Sequence, residues 1–346
     1  MMMRAPFEIA GREIAAASRQ TVELPVSVMA DNTPVGLNVH VIHGADEGPV
    51  SFVSAAVHGD EVVGVEICRR LLASVDPELL RGTLLVVPIV NAFGFLNRSR
   101  YLPDRRDLNR SFPGSSKGSL ASRLAQIFLR DVVQRCSFGV DLHSAAIHRT
   151  NLPQCRVSAG NARTLAMART FGAPVILTSD LREGSLRSEA AERGVDVLLY
   201  EAGEGLRFDE FAVRAGVMGI MRVLHGADMV DDTDFDPVVT PSLLCSSSQW
   251  VRAPAGGLLR AFKGDGDVVE EGDLLAAVSD PFGAQEHEIL APAPGIVVGR
   301  AVLPVVNEGD AVFHLAAVRQ GDAEATVEEI AAQLDASPLF DEDEII

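Results

Sequence analysis

The sequence predicts an α/β fold: a mixed, largely parallel sheet with helices on both faces, followed by a small all-β module. Three observations carry that reading. From about residue 50 to residue 224, apolar runs rich in small and β-branched residues alternate with segments of helical spacing. Three of the apolar runs end at ionisable residues, and in such sheets ligands bind beyond the carboxyl ends of the strands. After residue 246 the helical period disappears, and short runs punctuated by Gly and Asp take over.

Residues 20–47 alternate as short strand-like runs. Residues 50–57 read as a buried strand that stops at His58-Gly59-Asp60-Glu61. Val65, Ile67, Cys68, Leu71 and Leu72 give residues 62–73 helical spacing. Residues 83–90 are a second buried strand. Residues 91–114 have no clean period and many Arg, Pro and Gly; they read as a long loop, and a loop of that length usually has a function. Residues 119–134 are expected to be helical, 138–142 a strand ending at His143, 162–171 helical, 175–178 a short strand, 195–200 a strand ending at Glu201, and 208–224 helical. An acidic, Pro-containing stretch at 231–241 reads as a linker. Within 246–317, Ala253-Pro254-Ala255-Gly256-Gly257 returns as Ala291-Pro292-Ala293-Pro294-Gly295, an internal near-repeat. Residues 326–334 have the spacing of one short amphipathic helix, and the Asp341-Glu342-Asp343-Glu344 run is expected to fray.

With 346 residues, 47% of them hydrophobic, the chain can build a large core and a smaller module. A formal net charge of −18 argues against nucleic acid and anionic membranes as partners. Only two of the 30 basic residues are lysines, Lys117 and Lys263. No apolar run approaches the roughly 20 residues that span a bilayer. Residues 1–20 lack a basic segment followed by a long apolar stretch, so the expected location is the cytoplasm. Cys68, Cys136, Cys155 and Cys245 show no C-x-x-C spacing and are expected as free thiols.

His58 and Glu61 stand i, i+3 at a strand-to-helix junction, where both side chains can face one point. A catalytic zinc takes three protein ligands, accepts His nitrogen and carboxylate oxygen alike, and keeps one position open. His143, at the end of another strand, is the candidate third ligand. Alone, an H-x-x-E pair is more often a surface pair, and a strand-end His more often a bystander. Their conjunction at one sheet edge is what carries the reading, with Glu201 delivered by a third strand. A carboxylate just past a buried strand is placed for partial desolvation and general-base work; a solvated loop glutamate is the plainer reading, and Glu204 is a neighbouring competitor. His40, His43, His225, His287 and His314 have no partner at metal spacing and read as structural.

His58-Gly59-Asp60-Glu61, Asp107-Leu108-Asn109-Arg110-Ser111-Phe112-Pro113-Gly114, Asp141-Leu142-His143-Ser144 and Tyr200-Glu201-Ala202-Gly203 occur in this order. Together they resemble the succinylglutamate desuccinylase/aspartoacylase family of the zinc carboxypeptidase superfamily, over roughly residues 45–225. The resemblance implies a zinc carboxypeptidase-like fold with one Zn2+ per chain, held by His58, Glu61 and His143. It implies Glu201 as the catalytic glutamate and Asn109 with Arg110 as the grip on a substrate carboxylate, for which a planar guanidinium is suited. It implies Arg100 as the arginine that holds the oxyanion, with Arg98 and Arg106 as rivals. Asp107 resembles the carboxylate that orients His58, a task Asp141 could also fill. His148 is a candidate pocket residue or an exposed loop histidine.

The implied activity is zinc-dependent hydrolysis of an N-acyl amino acid or a related small carboxylate-bearing amide, by Glu-assisted attack of zinc-bound water. A metallocarboxypeptidase acting on a peptide or cell-wall peptide uses the same residues, and a degenerate fold used for binding is the non-enzyme alternative. The expected division is a catalytic domain at 1–245, an all-β module at 246–318 and an acidic tail at 319–346. The module resembles a biotinyl/lipoyl-type sandwich, but no lysine follows Lys263, so it has no acceptor at the expected hairpin tip. Capping the site or a homo-oligomer contact are the roles left open to it.

Overall fold

The computed structural model describes residues 4–28, 30–231, 237–318 and 323–335. A small hairpin, β1 (Phe7–Ile9) and β2 (Arg12–Ile14), precedes two long antiparallel strands, β3 (Ser18–Val28) and β4 (Pro34–His43). Next comes a parallel unit of β5 (Asp46–Ala55), α1 (Val63–Ser74) and β6 (Arg81–Val87). Then follow α2 (Ala92–Asn97), α3 (Leu120–Asp131), β7 (Phe138–His143), β8 (Arg149–Val157), α4 (Ala162–Phe171), β9 (Val175–Thr178), α5 (Leu186–Glu192), β10 (Asp196–Glu204) and α6 (Glu210–Gly226). At the centre of a 13-stranded sheet, β6, β5, β7 and β10 run parallel, with β4 and β3 antiparallel on one side and β8 antiparallel on the other.

Successive side chains on a strand face opposite sides, and the central strands use both. Val53, Ala55, Val140, Leu142, Leu198 and Tyr200 pack with Ile67, Leu71, Phe171 and Met218 of α1, α4 and α6. Phe52 and Val197 pack the other way, against Phe128 of α3 and Leu186 of α5. Helices therefore cover both faces of a mixed α/β sheet. On β7 and β10 the same alternation turns Asp141, His143 and Glu201 away from the first core, and the register pairs His143 with Glu201 side by side. Among the described residues, no helix is long and apolar enough to cross a membrane.

Beyond α6 the chain forms β11 (Leu243–Cys245), β12 (Ser248–Arg252), β13 (Gly257–Ala261), β14 (Val268–Val269), β15 (Leu274–Ser279), β16 (Glu286–Leu290), β17 (Gly295–Ala301), β18 (Val305–Val306), β19 (Ala311–Ala316) and α7 (Ala323–Asp335). One part is a four-stranded sheet in the order β16-β15-β13-β18. The other part is continuous with the large sheet: β17 pairs with β8, and β19 and β12 follow outward. Ile330 and Leu334 of α7 join the α1–α4–α6 core.

Four local differences from the sequence expectations have physical causes. The 91–114 stretch contains α2, capped by the Asn91 side chain accepting from the Gly94 amide, and a 3-10 turn at Leu108–Arg110. Gly94 obscures that helix in the sequence. Strand β8 carries no clear strand pattern in the sequence because Pro153 interrupts it; the register of β8 on β10 shifts between Gln154 and Asn151, a bulge where proline is tolerated. The seven-residue α5, capped by Ser185, is too short to show a period. Strand β10 continues through Glu204, so Glu201 lies within a strand and not beyond its end. The Asp341–Glu344 run and part of the 231–241 stretch lie outside the described residues.

Candidate metal centre and its arginine-lined cavity

His58 and Glu61 leave the end of β5 in a tight turn closed by the Glu61 amide donating to the His58 carbonyl, 3.1 Å. His143 ends the adjacent β7. The three side chains are buried, and their ligand atoms lie within 4.8 Å of one another. His58 Nδ1 is 2.7 Å from Glu61 Oε1, and His143 Nδ1 is 2.6 Å from Glu61 Oε2. The far nitrogen of each ring faces its own carboxylate: His58 Nε2 lies 3.2 Å from Asp107 Oδ1, and His143 Nε2 2.9 Å from Asp141 Oδ2. Asp141 is fixed in turn by Ser54 Oγ at 2.7 Å. Asp107 and Asp141 are thus not rivals; each orients a different histidine.

The electrostatics favour positive charge at this point. Burial disfavours the His58 imidazolium, yet Glu61 and Asp107 outweigh it and raise the pKa. Burial acts likewise on His143, and Asp141 with Glu61 lift it well above the usual histidine value. Glu61, whose burial alone would raise its pKa, is held well below the carboxylate range by the two histidines. Two imidazole nitrogens and a carboxylate oxygen, each imidazole backed by an acid, are a donor set that fits a borderline divalent ion such as zinc.

The cluster opens into a cavity of 420 Å³. Arg100, Arg110, Arg149, Arg156, Arg182 and Arg187 all line it, in a chain of net charge −18. Arg100 grips Asp107 through Nε and Nη2, at 3.2 and 3.0 Å, and points Nη1 at the donors, 3.2 Å from both Glu61 Oε1 and His58 Nδ1. Its rivals are elsewhere: Arg98 caps α2, Arg106 pairs with Asp104, and neither lines the cavity. Asn109 Oδ1 accepts from the Leu186 amide at 2.9 Å, tying the loop to α5. Arg110 Nη1 donates to the Asn109 carbonyl at 2.5 Å. Burial, then the Arg182 and Arg100 charges, lower the Arg110 pKa against the pull of Asp107, so its charge is only partly compensated by protein.

Glu201 Oε2 is held by Arg156 Nη2 at 2.5 Å and by Asn151 Nδ2 at 3.1 Å. His148 is not among the lining residues, whereas its neighbour Arg149 is. Arg149, Asn151, Arg156, Arg182, Arg187 and Trp250 are wall residues that sequence reasoning missed. Three come from the unrecognised β8 and one from β12, so only tertiary pairing assembles them. Their one sequence signal is the abundance of arginine.

His314, read as structural, stacks on Trp250 at a centroid distance of 4.5 Å. Burial and then Arg156 push its pKa down to about 4. Above about pH 6.5 neither the folded nor the unfolded chain protonates this residue. Between there and about 4 the unfolded chain takes up a proton that the folded chain refuses. Its contribution to stability is therefore expected to fall across that window, by about 3 kcal/mol in all. Urea midpoints at pH 7 and 4.5 for the protein and for His314→Phe measure it; an equal pH dependence in both would show that His314 is not the cause.

Residues 47–227 match the family model described as the succinylglutamate desuccinylase/aspartoacylase catalytic domain, more than half of the chain. The chain belongs to the succinylglutamate desuccinylase/aspartoacylase family. The chain is 28% identical over 294 residues to the N-alpha-acetyl-L-2,4-diaminobutyric acid deacetylase of Halomonas elongata, covering 79% of this chain and 83% of the relative. A succinylglutamate desuccinylase/aspartoacylase structure from Rhodobacter sphaeroides superposes with a TM-score of 0.79 at 26% identity, covering 87% of this chain and 96% of that one. The product-bound ectoine utilization protein EutE of Ruegeria pomeroyi gives a TM-score of 0.79 at 25% identity, covering 91% and 100%.

Proposed function

We propose that this member of the family is a zinc-dependent deacylase that hydrolyses the amide bond of a small, carboxylate-bearing N-acyl amino acid. The observation that carries the reading is the buried His58–Glu61–His143 cluster, backed by Asp107 and Asp141 and opening into an arginine-lined cavity. The Halomonas elongata relative, by its name a deacetylase of an acylated amino acid, supports amide hydrolysis as the reaction class.

His58, Glu61 and His143 would hold the ion. Bound zinc supplies Lewis acidity and makes water a nucleophile near neutral pH, its pKa falling to about 7. Asp107 and Asp141 accept the Nε2 protons of His58 and His143, which would leave both Nδ1 lone pairs free to hold the ion. In Glu201, Oε2 is anchored by Arg156 and Asn151; Oε1 takes the proton of the attacking water and returns it to the leaving nitrogen. The Arg100 Nη1 arm donates to the developing oxyanion. Arg110 and the Asn109 Nδ2 amide bind the substrate carboxylate.

The 420 Å³ cavity is of a size for a small ligand, and the deacetylase relative from Halomonas elongata favours the deacylase over the metallocarboxypeptidase reading. We read residues 1–245 as the catalytic domain and 246–318 as a β-module akin to a biotinyl/lipoyl-type sandwich without an acceptor lysine, with 319–346 as an acidic segment whose helix α7 packs back on the α1–α4–α6 core, and the cytoplasm as its location. The test is a panel of N-acetyl, N-succinyl and N-formyl amino acids with zinc added, beside the same compounds carrying a carboxamide for the α-carboxylate. Loss of that carboxylate is expected to lower kcat/KM about a hundredfold, with Arg110→Ala erasing the difference. Hydrolysis indifferent to the carboxylate would overturn the assignment of Arg110.

A further inference from the structure

The cavity wall includes a side chain from far along the chain. Trp250 lies on the edge strand β12, directly opposite His314 of β19. The two rings are nearly coplanar in orientation, 6° apart, with centroids 4.5 Å apart. His314 is itself buried and fixed by Ser248 Oγ at 2.8 Å from Nε2. The Arg149 guanidinium sits over the Trp250 ring at 5.0 Å from its centroid. Trp250 is thus in contact with both His314 and the Arg149 guanidinium. Arg149 opens β8, the strand that β17 joins to the C-terminal β elements.

Among the described residues, the Arg149 guanidinium forms no ion pair and no hydrogen bond. An arginine left with all its donors free, yet held by a ring that is itself packed against a buried histidine, is preorganised for a ligand rather than for the fold. His314 assists by staying neutral, since burial pushes its pKa down to about 4, so the ring packed on Trp250 adds no positive charge beside Arg149.

We propose that Arg149 is a specificity-determining residue that grips a second anionic group of the substrate, and that Trp250 is its positioning residue. The C-terminal β elements thereby take part in substrate selection. The inference rests on reading the cavity as the deacylase site. Its chemistry is a carboxylate beyond the one bound at Asn109 and Arg110. That carboxylate can sit on the acyl arm or on the amino-acid side chain.

The zinc-loaded full chain is compared with Arg149→Met, Trp250→Ala and Trp250→Phe. Acyl-arm anions are read from N-succinyl- against N-acetyl-alanine, and side-chain anions from N-acetyl-aspartate against N-acetyl-asparagine. In one of the two pairs, Arg149→Met is expected to lower the charged-over-neutral ratio of kcat/KM by about 10- to 100-fold, mainly through KM. Trp250→Ala should lower the same ratio in the same pair, and Trp250→Phe, which keeps a ring under the guanidinium, should restore most of it. Trp250 is the single tryptophan, so its fluorescence also reports ligand at the stack without turnover. Succinate is expected to change that emission saturably, and acetate to do so only weakly; the response should be lost in Arg149→Met. Ratios unmoved by Arg149→Met in both pairs, or a succinate response that survives it, would overturn the proposal. If no amide in the panel is cleaved, the deacylase reading fails by itself, and the succinate titration still decides the role of Arg149.

Discussion

Glu201→Gln is expected to lower kcat by about 10²- to 10⁴-fold while zinc content stays at one per chain. The substitution is close to isosteric, and Glu201 is not among the donors of the His58–Glu61–His143 cluster, so the ion keeps its ligands. The amide oxygen of a glutamine can still accept from Arg156 and Asn151, which preserves the contacts now made by Oε2. What disappears is the second carboxylate oxygen as a proton carrier. The effect should therefore fall on kcat, with KM and the melting temperature close to those of the parent. Zinc stoichiometry by atomic absorption and steady-state kinetics on the same preparation measure it. Turnover within a few-fold of the parent would remove Glu201 from the mechanism and turn attention to Glu204, three residues further along β10.

Glu201 also marks where the sequence stopped being readable. Its place near His143 follows from two apolar runs that deliver ionisable residues to one sheet edge, and parallel pairing of β10 with β7 puts the two in register. That much is local pattern plus the rule for where α/β sheets bind ligands. The partners of Glu201 are a different matter. Arg156 and Asn151 sit on β8, whose period is broken by Pro153 and a bulge, and whose direction opposes β10. Nothing within residues 149–157 signals that they form the wall of a site.

The far wall was less legible still. Trp250, His314, Gly299 and Asn151 lie in one lateral row across β12, β19, β17 and β8, a row built entirely from long-range pairing. Gly299 belongs to it for a steric reason: a Cβ there would stand 2.4 Å from Asn151 Oδ1, the side chain whose amide holds Glu201. The sequence showed a β module with glycines at turns. It did not show that β17, β19 and β12 would extend the large sheet, or that β17 would leave room at Gly299 for the Asn151 side chain. Domain boundaries read from composition separate two kinds of local structure; they do not say which strands will share a sheet.

The second large effect is expected from a glycine inside the first motif. In Gly59→Ala, the added methyl would fall 1.9 Å from the Gly94 carbonyl carbon and 2.2 Å from the Phe95 amide nitrogen. Both are backbone atoms of α2 and have no rotamer through which to yield. Either α2 or the His58–Glu61 turn must move. The contact between them is also what brings the following loop down onto the donors, with Arg100 and Asp107 reaching His58 from that side. A displacement of about an ångström costs on the order of a hundredfold where donors must converge on one point. Zinc affinity, read by competition with a chromophoric chelator, should weaken by about that factor, and the melting temperature of the metal-free protein should fall as expected for overpacking by about 1–3 kcal/mol. A Gly59→Ala protein that binds zinc and melts like its parent would mean that the backbone contact with α2 does not set the turn. The ligand geometry would then rest on the Asp107 and Asp141 hydrogen bonds alone, and Asp141→Asn should produce the larger loss of metal.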